Sequence, residues 1–315
     1  MSGLTISIDW GGTALTGACV NHAGLVHDFK LAAANIRTID NEELKQICLR
    51  LSQIAETVAS SGHRWLIGAA GGNDRAAASR LREMLQFTDK FYEELEVYPD
   101  YLCNHAACLG GTDGILSING TGSVLFGVNG VVSARMGGWG YLLDETPSAA
   151  YFGRRAVEGV LRHLDGESGF EDFAISWGNH FDKPDRNRII DELYRNPGIQ
   201  KRLGRYAPVL TEAFASGNQP ATAIILESTQ KLVSSAQKLL QKLQIEKTTA
   251  CGSGGLWQSW APFADIVKEA CRQCDLPLTW QPPQYELALG PLLVHAKKDF
   301  ISADLTKLLQ TGATK

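Results

Sequence analysis

Three glycine-rich turns, each directly after a short apolar segment, are the feature that most constrains how this 315-residue chain can fold. They lie at residues 9–13 (Asp-Trp-Gly-Gly-Thr), 119–123 (Asn-Gly-Thr-Gly-Ser) and 251–255 (Cys-Gly-Ser-Gly-Gly). A glycine after a strand lets backbone N–H groups approach a phosphate closely. Any one of these turns is more often a plain turn, but three in order indicate a nucleotide-binding chain.

The segments around the first turn form a pattern that the chain begins a second time. Apolar spacing predicts a hairpin, a helix, a buried strand and a second helix, in that order, over residues 4–29, 44–58, 65–70 and 76–85. Short apolar strands at 115–118 and 124–128 then flank the second turn. A chain of this length also exceeds the usual size of one core. The sequence therefore predicts two related α/β domains, the second starting near residue 115.

The second half of the chain continues with a less regular segment before the pattern returns. Residues 165–188 are polar and turn-rich, which predicts a surface excursion whose role the sequence leaves open. Helical spacing then predicts a long helix over 221–243, and a strand, turn and helix surround the third glycine turn. Leucines after residue 285 predict a terminal helix.

Composition excludes several classes of partner. The net charge of −4 comes from interspersed acids and bases, and no like-charge run marks a nucleic-acid or membrane surface. No window approaches the ~20 apolar residues of a membrane span, and the first residues lack the features of a secretory signal. Seven scattered cysteines favour reduced thiols, and Cys271 and Cys274 are expected to be ordinary helix residues. These observations predict a cytoplasmic protein.

Asp9 is the first candidate for chemistry. It ends the first predicted strand beside Gly11, Gly12 and Thr13, so a carboxylate and a hydroxyl stand where Mg²⁺ and its water shell can sit. The alternative is an aspartate that hydrogen-bonds its own turn.

At this point the motifs resemble a known group of proteins. Residues 8–13 and 119–123 resemble the first and second phosphate motifs of the sugar kinase and acetate kinase superfamily, and residues 252–255 resemble its adenosine motif. Residues 137–143, followed by Ser148 and 151–154, are similar to the N-acetylglucosamine kinases and the related BadF/BadG/BcrA/BcrD ATPases. The resemblance runs in order from residue 4 to about 297.

The resemblance implies a fold and a domain division. It implies an α/β protein with two ribonuclease-H-like, actin-like ATPase domains and a cleft between them. We expect the domains at 1–115 and 116–286, with a C-terminal helix at about 287–310 packing back on the first. Relatives are usually homodimers, which is the oligomeric state we expect.

The resemblance also implies a reaction and its residues. The reaction is phosphoryl transfer from ATP to a sugar hydroxyl, in which Asp9 would orient Mg²⁺. The residues implied to bind ATP or its phosphates are Gly11, Gly12, Thr13, Gly120, Thr121, Gly122, Ser123, Gly252, Gly254 and Gly255. Those implied to face the sugar are Asn35, Gly71, Asn104, Trp139 and Glu145.

Two departures from the family pattern bear on activity. Family members carry an aspartate, the presumed general base, just after the strand before the second domain, and we assign His105 to that position. A neutral imidazole can accept a hydroxyl proton at pH 7, so His105 is the predicted base. The alternative is that His105 takes no part in catalysis, in which case the reaction would be slower by about 10²- to 10⁴-fold. In addition, Glu145 replaces an aspartate and Pro147 a glycine, so the acceptor can differ from N-acetylglucosamine.

Several functions remain open on this sequence. The leading hypothesis is a kinase for an amino sugar of the N-acetylglucosamine or glucosamine class. A non-catalytic sugar or nucleotide sensor is the alternative that His105 favours. An activating ATPase of radical dehydratases would need cysteines from two subunits around an iron–sulfur cluster, and a DNA-binding repressor would need a helix-turn-helix. Neither feature is recognisable in the chain.

Overall fold

The computed structural model of the protein describes residues 3–59, 62–195 and 198–298. These residues divide into two compact units. Unit 1 contains the residues up to Thr112 together with those from Pro282 onward, and unit 2 is Asp113–Gln281. The last part of the predicted terminal helix, 299–310, lies outside the described residues.

The N-terminal part of unit 1 builds a mixed sheet covered by helices. Its elements are β1 (Leu4–Trp10), β2 (Ala14–Asn21), β3 (Gly24–Ala32), α1 (Asn41–Val58), β4 (His63–Ala69), α2 (Arg75–Thr88), β5 (Tyr92–Pro99) and α3 (Asp100–Leu109). In the described part of the chain the sheet has five strands in the order β3-β2-β1-β4-β5. Strands β1 to β3 form an antiparallel meander, whereas β1, β4 and β5 are parallel. This parallel edge positions the candidate site of unit 1.

Strand β1 is buried on both faces, in keeping with its place in the middle of this sheet. Ile6, Ile8 and Trp10 are fully buried in a core shared with α1 and α2. Helix α1 begins at Asn41, because the Asp40 side chain caps it by accepting a hydrogen bond from the Glu43 N–H at 2.8 Å.

Unit 2 repeats this topology with a large helical insertion. Its elements are β6 (Gly114–Asn119), β7 (Ser123–Asn129), β8 (Val132–Gly137), α4 (Ala149–Leu164), α5 (Glu171–His180), α6 (Arg186–Tyr194), α7 (Ile199–Arg205), α8 (Ala207–Ala215), α9 (Gln219–Leu243), β9 (Thr248–Ser253), α10 (Gly255–Ser259), α11 (Pro262–Gln273) and β10 (Leu278–Gln281). Among the described residues its sheet has the order β10-β9-β6-β7-β8. Aligning β6 to β10 with β1 to β5 gives the same strand order in both units, which confirms the predicted α/β repeat.

The segment 165–188 differs from its prediction as a turn-rich surface excursion. Helix α5 and the start of α6 lie within it, and Phe170, Phe173 and Trp177 are buried in the core of unit 2. The prediction was wrong because sparse aromatic residues among polar ones carry the packing. The Trp177 ring also stacks on Tyr206 and packs against Phe181.

The chain returns to unit 1 through a 3₁₀ turn, Leu287–Leu289, and α12 (Gly290–Lys298). Helix α12 packs on α3 and β1, and the Leu292 N–H donates to the Ser7 hydroxyl oxygen at 3.3 Å. Gly290 allows the close approach, since a Cβ there would lie 2.3 Å from the Cys103 carbonyl oxygen. None of the described helices is long and apolar enough to cross a lipid bilayer.

Candidate active site

The candidate site of unit 1 lies at the carboxyl edge of three parallel strands. Asp9 of β1 pairs in register with Gly68 of β4, which pairs with Tyr98 of β5. Parallel strands end at the same edge of a sheet. The Gly11–Gly12 turn, the Ala70–Gly71 turn and Asp100 at the start of α3 therefore share this edge.

Asp9 is the most perturbed carboxylate at this edge. Burial and, to a smaller extent, the negative charge of Asp100 raise its pKa from 3.8 to about 7, although a hydrogen bond from the Asn104 side chain lowers it. The Oδ1 atom of Asp9 is buried and has no hydrogen-bond partner among the described residues. Asp100 and Asn104 lie one turn apart on α3, so both face the end of β1.

Asp100 is a residue that the sequence analysis missed. Strand β5 ends at Pro99 and α3 begins at Asp100, so the acidic residue just after this strand is Asp100. The predicted base, His105, lies five residues later. Pro99 was the available signal, because a proline rarely continues a strand and often precedes the first turn of a helix.

His105 occupies a different setting from Asp100. It is 3% exposed on α3. Five helical residues after Asp100, it points about 140° away around the helix axis. Asn104, which was predicted to face the sugar, is also buried, and its Oδ1 atom lacks a hydrogen-bond partner in the described part of the chain.

The first glycine turn closes the β1–β2 hairpin tightly. The Gly11 N–H donates to the Ala14 carbonyl at 2.9 Å, and the Thr13 carbonyl accepts from the Ala33 N–H at 3.1 Å. A Cβ placed on Gly12 would meet no heavy atom of the described residues within 4 Å. The turn therefore leaves open space at Gly12.

Asn35 and Gly71, both predicted to face the sugar, lie together in unit 1. A Cβ on Gly71 would lie 2.6 Å from the Asn35 Oδ1 atom, which accepts a hydrogen bond from the Arg37 N–H at 2.9 Å. Gly71 has φ of +91°, which favours glycine. Trp10 is buried and supports both loops: its Nε1–H donates to the Ala34 carbonyl at 2.9 Å, and its carbonyl accepts from the Ala70 N–H at 2.7 Å.

The second and third glycine turns meet in unit 2. They follow β6 and β9, which are parallel neighbours. A Cβ on Gly120 would lie 3.9 Å from the Gly255 nitrogen, and one on Gly254 would overlap the Asn119 carbonyl carbon at 2.7 Å. Gly254 has φ of +96°, so glycine is required there for two reasons. The structure thus brings together Gly120, Thr121, Gly122 and Ser123 with Gly252, Gly254 and Gly255.

The second turn is anchored on the first turn of α4. The Gly120 and Thr121 carbonyls accept from the Ala149 and Ala150 N–H groups at 2.8 and 3.2 Å. The Ser148 hydroxyl caps the same helix by accepting from the Tyr151 N–H at 3.1 Å. These bonds hold the carbonyls of the turn against the helix.

Glu145, which is predicted to face the sugar, lies against the second turn. A Cβ on Gly122 would lie 2.7 Å from its Oε2 atom. The pKa of Glu145 is raised to about 7, chiefly by burial; hydrogen bonds from the Gly140 backbone and the Gln200 side chain lower it, and the Asp144 charge adds to the rise. The Gln200 bond is 2.6 Å long, and sequence reasoning missed Gln200.

Trp139 is 66% exposed, with Arg135 over its ring.

The donor set at Asp9 fits a hydrated Mg²⁺ ion. Mg²⁺ prefers oxygen ligands, keeps several waters and commonly binds one or two carboxylates together with phosphates. Asp9 and Asn104 each present a buried, unpartnered oxygen among the described residues, and Asp100 adds a carboxylate. No group of three or more His, Cys, Asp or Glu side chains in the described part of the chain could enclose a metal alone.

Comparisons with known proteins agree with this fold. The chain is 25% identical over 269 residues to the N-acetylmuramic acid/N-acetylglucosamine kinase of Clostridium acetobutylicum, covering 80% of this chain and 84% of that protein. A structure from Chromobacterium violaceum, assigned as an N-acetylglucosamine kinase, matches with a TM-score of 0.70 at 21% identity over 93% of this chain and 98% of that one.

A more distant structure shares the fold as well. The ROK family glucokinase from Streptomyces griseus, solved with glucose and AMPPNP, matches with a TM-score of 0.61 at 14% identity, covering 94% of this chain and 99% of that one. These likenesses confirm the predicted two-domain fold class. Residues 6–294 match the BadF/BadG/BcrA/BcrD ATPase family, so the chain belongs to that family.

Proposed function

We propose that the protein is a sugar kinase that transfers the γ-phosphoryl group of ATP to a hydroxyl of an amino sugar of the N-acetylglucosamine or glucosamine class. The observation that carries the proposal is the buried, unpartnered Asp9 oxygen beside Asp100, directly before an open glycine turn. Family membership and the relative from Clostridium acetobutylicum support it. The AMPPNP bound by the glucokinase of Streptomyces griseus supports ATP as the donor.

The glycine turns suit the phosphates and the nucleoside of ATP. Backbone N–H groups at such turns bind anionic oxygens without a bulky side chain in the way. We assign Gly11, Gly12, Thr13, Gly120, Thr121, Gly122 and Ser123 to the phosphates, and Gly252, Gly254 and Gly255 to the adenosine.

Asp9 and Asn104 would hold the Mg²⁺ ion through its water shell. When bound, the ion neutralises charge on the phosphates. Asp9 must be ionised for this role, so its raised pKa makes metal binding sensitive to pH near 7. Asn104 keeps one Asp9 oxygen oriented while leaving the other free.

For the general base we propose Asp100 in preference to His105. Asp100 faces Asp9, whereas His105 is buried on another side of α3. The Asp100 carboxylate would accept the proton of the sugar hydroxyl as its oxygen bonds to the γ-phosphorus and ADP leaves. The sensor alternative rested on a missing carboxylate, so it is no longer favoured.

The sugar would be held by polar groups of the candidate loops. Asn35 and Gly71 are adjacent in unit 1 and remain proposed sugar contacts, together with Trp139 and Glu145 of unit 2. The Gln200 side chain donates a hydrogen bond to the Glu145 carboxylate, and this pair gives the loop around Glu145 a distinct chemical character. We also propose a cytoplasmic homodimer; all seven cysteines fall within the described residues and are free thiols there.

A coupled assay of ADP release tests the proposed function. Purified protein is supplied with MgATP and, in turn, N-acetylglucosamine, glucosamine, N-acetylmuramic acid and glucose. We expect ADP release that depends on an amino sugar. No sugar-dependent release with any of the four would contradict the proposal.

Two variants separate the candidate bases. Asp100→Asn is expected to lower kcat by about 10²- to 10⁴-fold, the usual contribution of a general base. His105→Asn should cost much less. The matched control is Asp28→Asn, because Asp28 is an exposed aspartate of the same unit. A larger loss in His105→Asn than in Asp100→Asn would restore histidine as the base.

A further inference from the structure

Asn119, the last residue of β6, is buried at the junction of the second and third glycine turns. Its amide oxygen accepts from the Ser117 hydroxyl and from the Trp257 Nε1–H, both at 2.7 Å. Its amide nitrogen donates to the Ser123 hydroxyl oxygen at 3.0 Å and to the Pro147 carbonyl at 2.9 Å. The side chain therefore makes four hydrogen bonds within unit 2.

The chemistry of these partners requires an amide. An indole N–H can only donate and a carbonyl can only accept, so Trp257 and Pro147 determine which end of the Asn119 side chain is oxygen. A carboxylate would place an acceptor against the Pro147 carbonyl. An aliphatic residue would leave a buried donor and a buried acceptor unpaired, which is costly.

Two of the four bonds, those to Pro147 and Trp257, join segments that are far apart in sequence. Ser123 belongs to the second turn, Pro147 precedes α4, and Trp257 follows the third turn on α10. The Trp257 ring also lies over the third turn, because a Cβ on Gly252 would be 2.2 Å from it. The β6–β9 pairing brings the two turns side by side, and Asn119 adds a side-chain link between them through Trp257, which lies 138 residues away in sequence.

We infer that Asn119 is a positioning residue for nucleotide: through Trp257 it holds the second and third glycine turns at the spacing that a nucleoside triphosphate requires. The inference rests on the proposed function, since it assigns phosphate and adenosine to these turns. Asn119 acts through its neighbours, because all four of its hydrogen-bonding positions are already occupied by protein groups. A purely structural network would instead change stability without changing nucleotide affinity.

Isothermal titration calorimetry with MgATP tests the inference on the full chain. Trp257→Phe removes only the N–H and keeps an aromatic ring, and is expected to raise the Kd for MgATP about threefold to tenfold, as the loss of one hydrogen bond would. Asn119→Ala should raise it roughly tenfold to a hundredfold. The double variant should bind no more weakly than Asn119→Ala, because both changes break the same link.

Trp280→Phe is the matched control. Its ring packs against that of Trp257, with centroids 5.0 Å apart and planes tilted by 32°, but its N–H faces the Cys271 sulfur rather than Asn119. We expect its Kd for MgATP to stay within twofold of the wild type. The ¹H–¹⁵N indole signal of Trp257, identified by its loss in Trp257→Phe, should shift when ADP is added.

The outcomes separate the inference from the function on which it rests. A wild type that binds no MgATP overturns both. A wild type that binds MgATP, with Trp257→Phe unchanged in affinity or matched by Trp280→Phe, overturns the inference alone. If Asn119→Ala does not fold, two other measurements decide the question: the MgATP affinity of Trp257→Phe, and the response of the Trp257 indole signal of the wild type to ADP.

Discussion

Replacing Asp9 by asparagine should make the protein more stable while removing its activity. The pKa of Asp9 is raised from 3.8 to about 7, mainly by burial and then by Asp100. A carboxyl group with a raised folded-state pKa binds its proton more tightly in the folded protein. Folding stability therefore falls as pH rises from about 4 to 7, and stays lower above 7.

The magnitude follows from the pKa difference. About three pH units correspond to about 4 kcal/mol of lost stability at pH 8, at 1.36 kcal/mol for each unit. The introduced asparagine side chain would be isosteric and neutral, and the Asn104 side chain can still hydrogen-bond to it. We expect Asp9→Asn to recover a large part of this free energy, about 2 to 4 kcal/mol, at pH 8 and almost none at pH 4.

Thermal unfolding followed by circular dichroism between pH 4 and pH 8 measures the effect. The Tm of Asp9→Asn should exceed that of the wild type by about 4 to 16 °C at pH 8, at the 2–4 °C per kcal/mol typical of a domain of 150–250 residues, and the difference should vanish towards pH 4. Asp28→Asn, at an exposed site of the same unit, should show no such pH dependence. A variant less stable than the wild type at pH 8, or a difference independent of pH, would refute this account of Asp9.

Three further predictions concern the glycine turns and their supports. Glu145→Gln removes a charge beside Gly122 and should lower the KM for ATP about threefold at pH 8 but little at pH 6, because the Glu145 pKa is about 7. Equal effects on KM at both pH values in steady-state kinetics would argue against a role for the Glu145 charge. Gly254→Ala should weaken MgATP binding at least tenfold by calorimetry, because of its φ of +96° and the contact with Asn119, whereas Gly178→Ala, in open space, should not. Trp10→Phe loses the hydrogen bond to the Ala34 carbonyl and should raise the KM for the sugar rather than for ATP. A rise in the KM for ATP alone would contradict the view that Trp10 supports the loop of Asn35.

Local patterns made much of the fold predictable. The alternation of β1 and the Asp40 cap of α1 are encoded within a few residues, and the repeated strand–turn–strand motif revealed two units of one topology. Helix α5 was missed because its buried residues, Phe173 and Trp177, are too few to form a clear stripe. Tertiary packing, rather than periodicity, determines that segment.

The site was only partly predictable for a similar reason. Asp9 and the glycine turns follow from local sequence, but the position of the proposed base depends on where β5 ends, and Pro99 was the only local signal that we recognise. The Gln200 contact with Glu145 and the Trp257 contact with Asn119 join residues 55 and 138 positions apart. No spacing rule reveals such pairs, because the fold alone brings them together.

The most direct test of the proposed function is ³¹P NMR of a reaction containing the protein, MgATP and N-acetylglucosamine or glucosamine. The account predicts a new sugar phosphate ester signal that grows with ADP and is lost in Asp100→Asn but retained in His105→Asn. Formation of inorganic phosphate alone, at a rate unaffected by sugar, would identify an ATPase that is not a sugar kinase and would contradict the account.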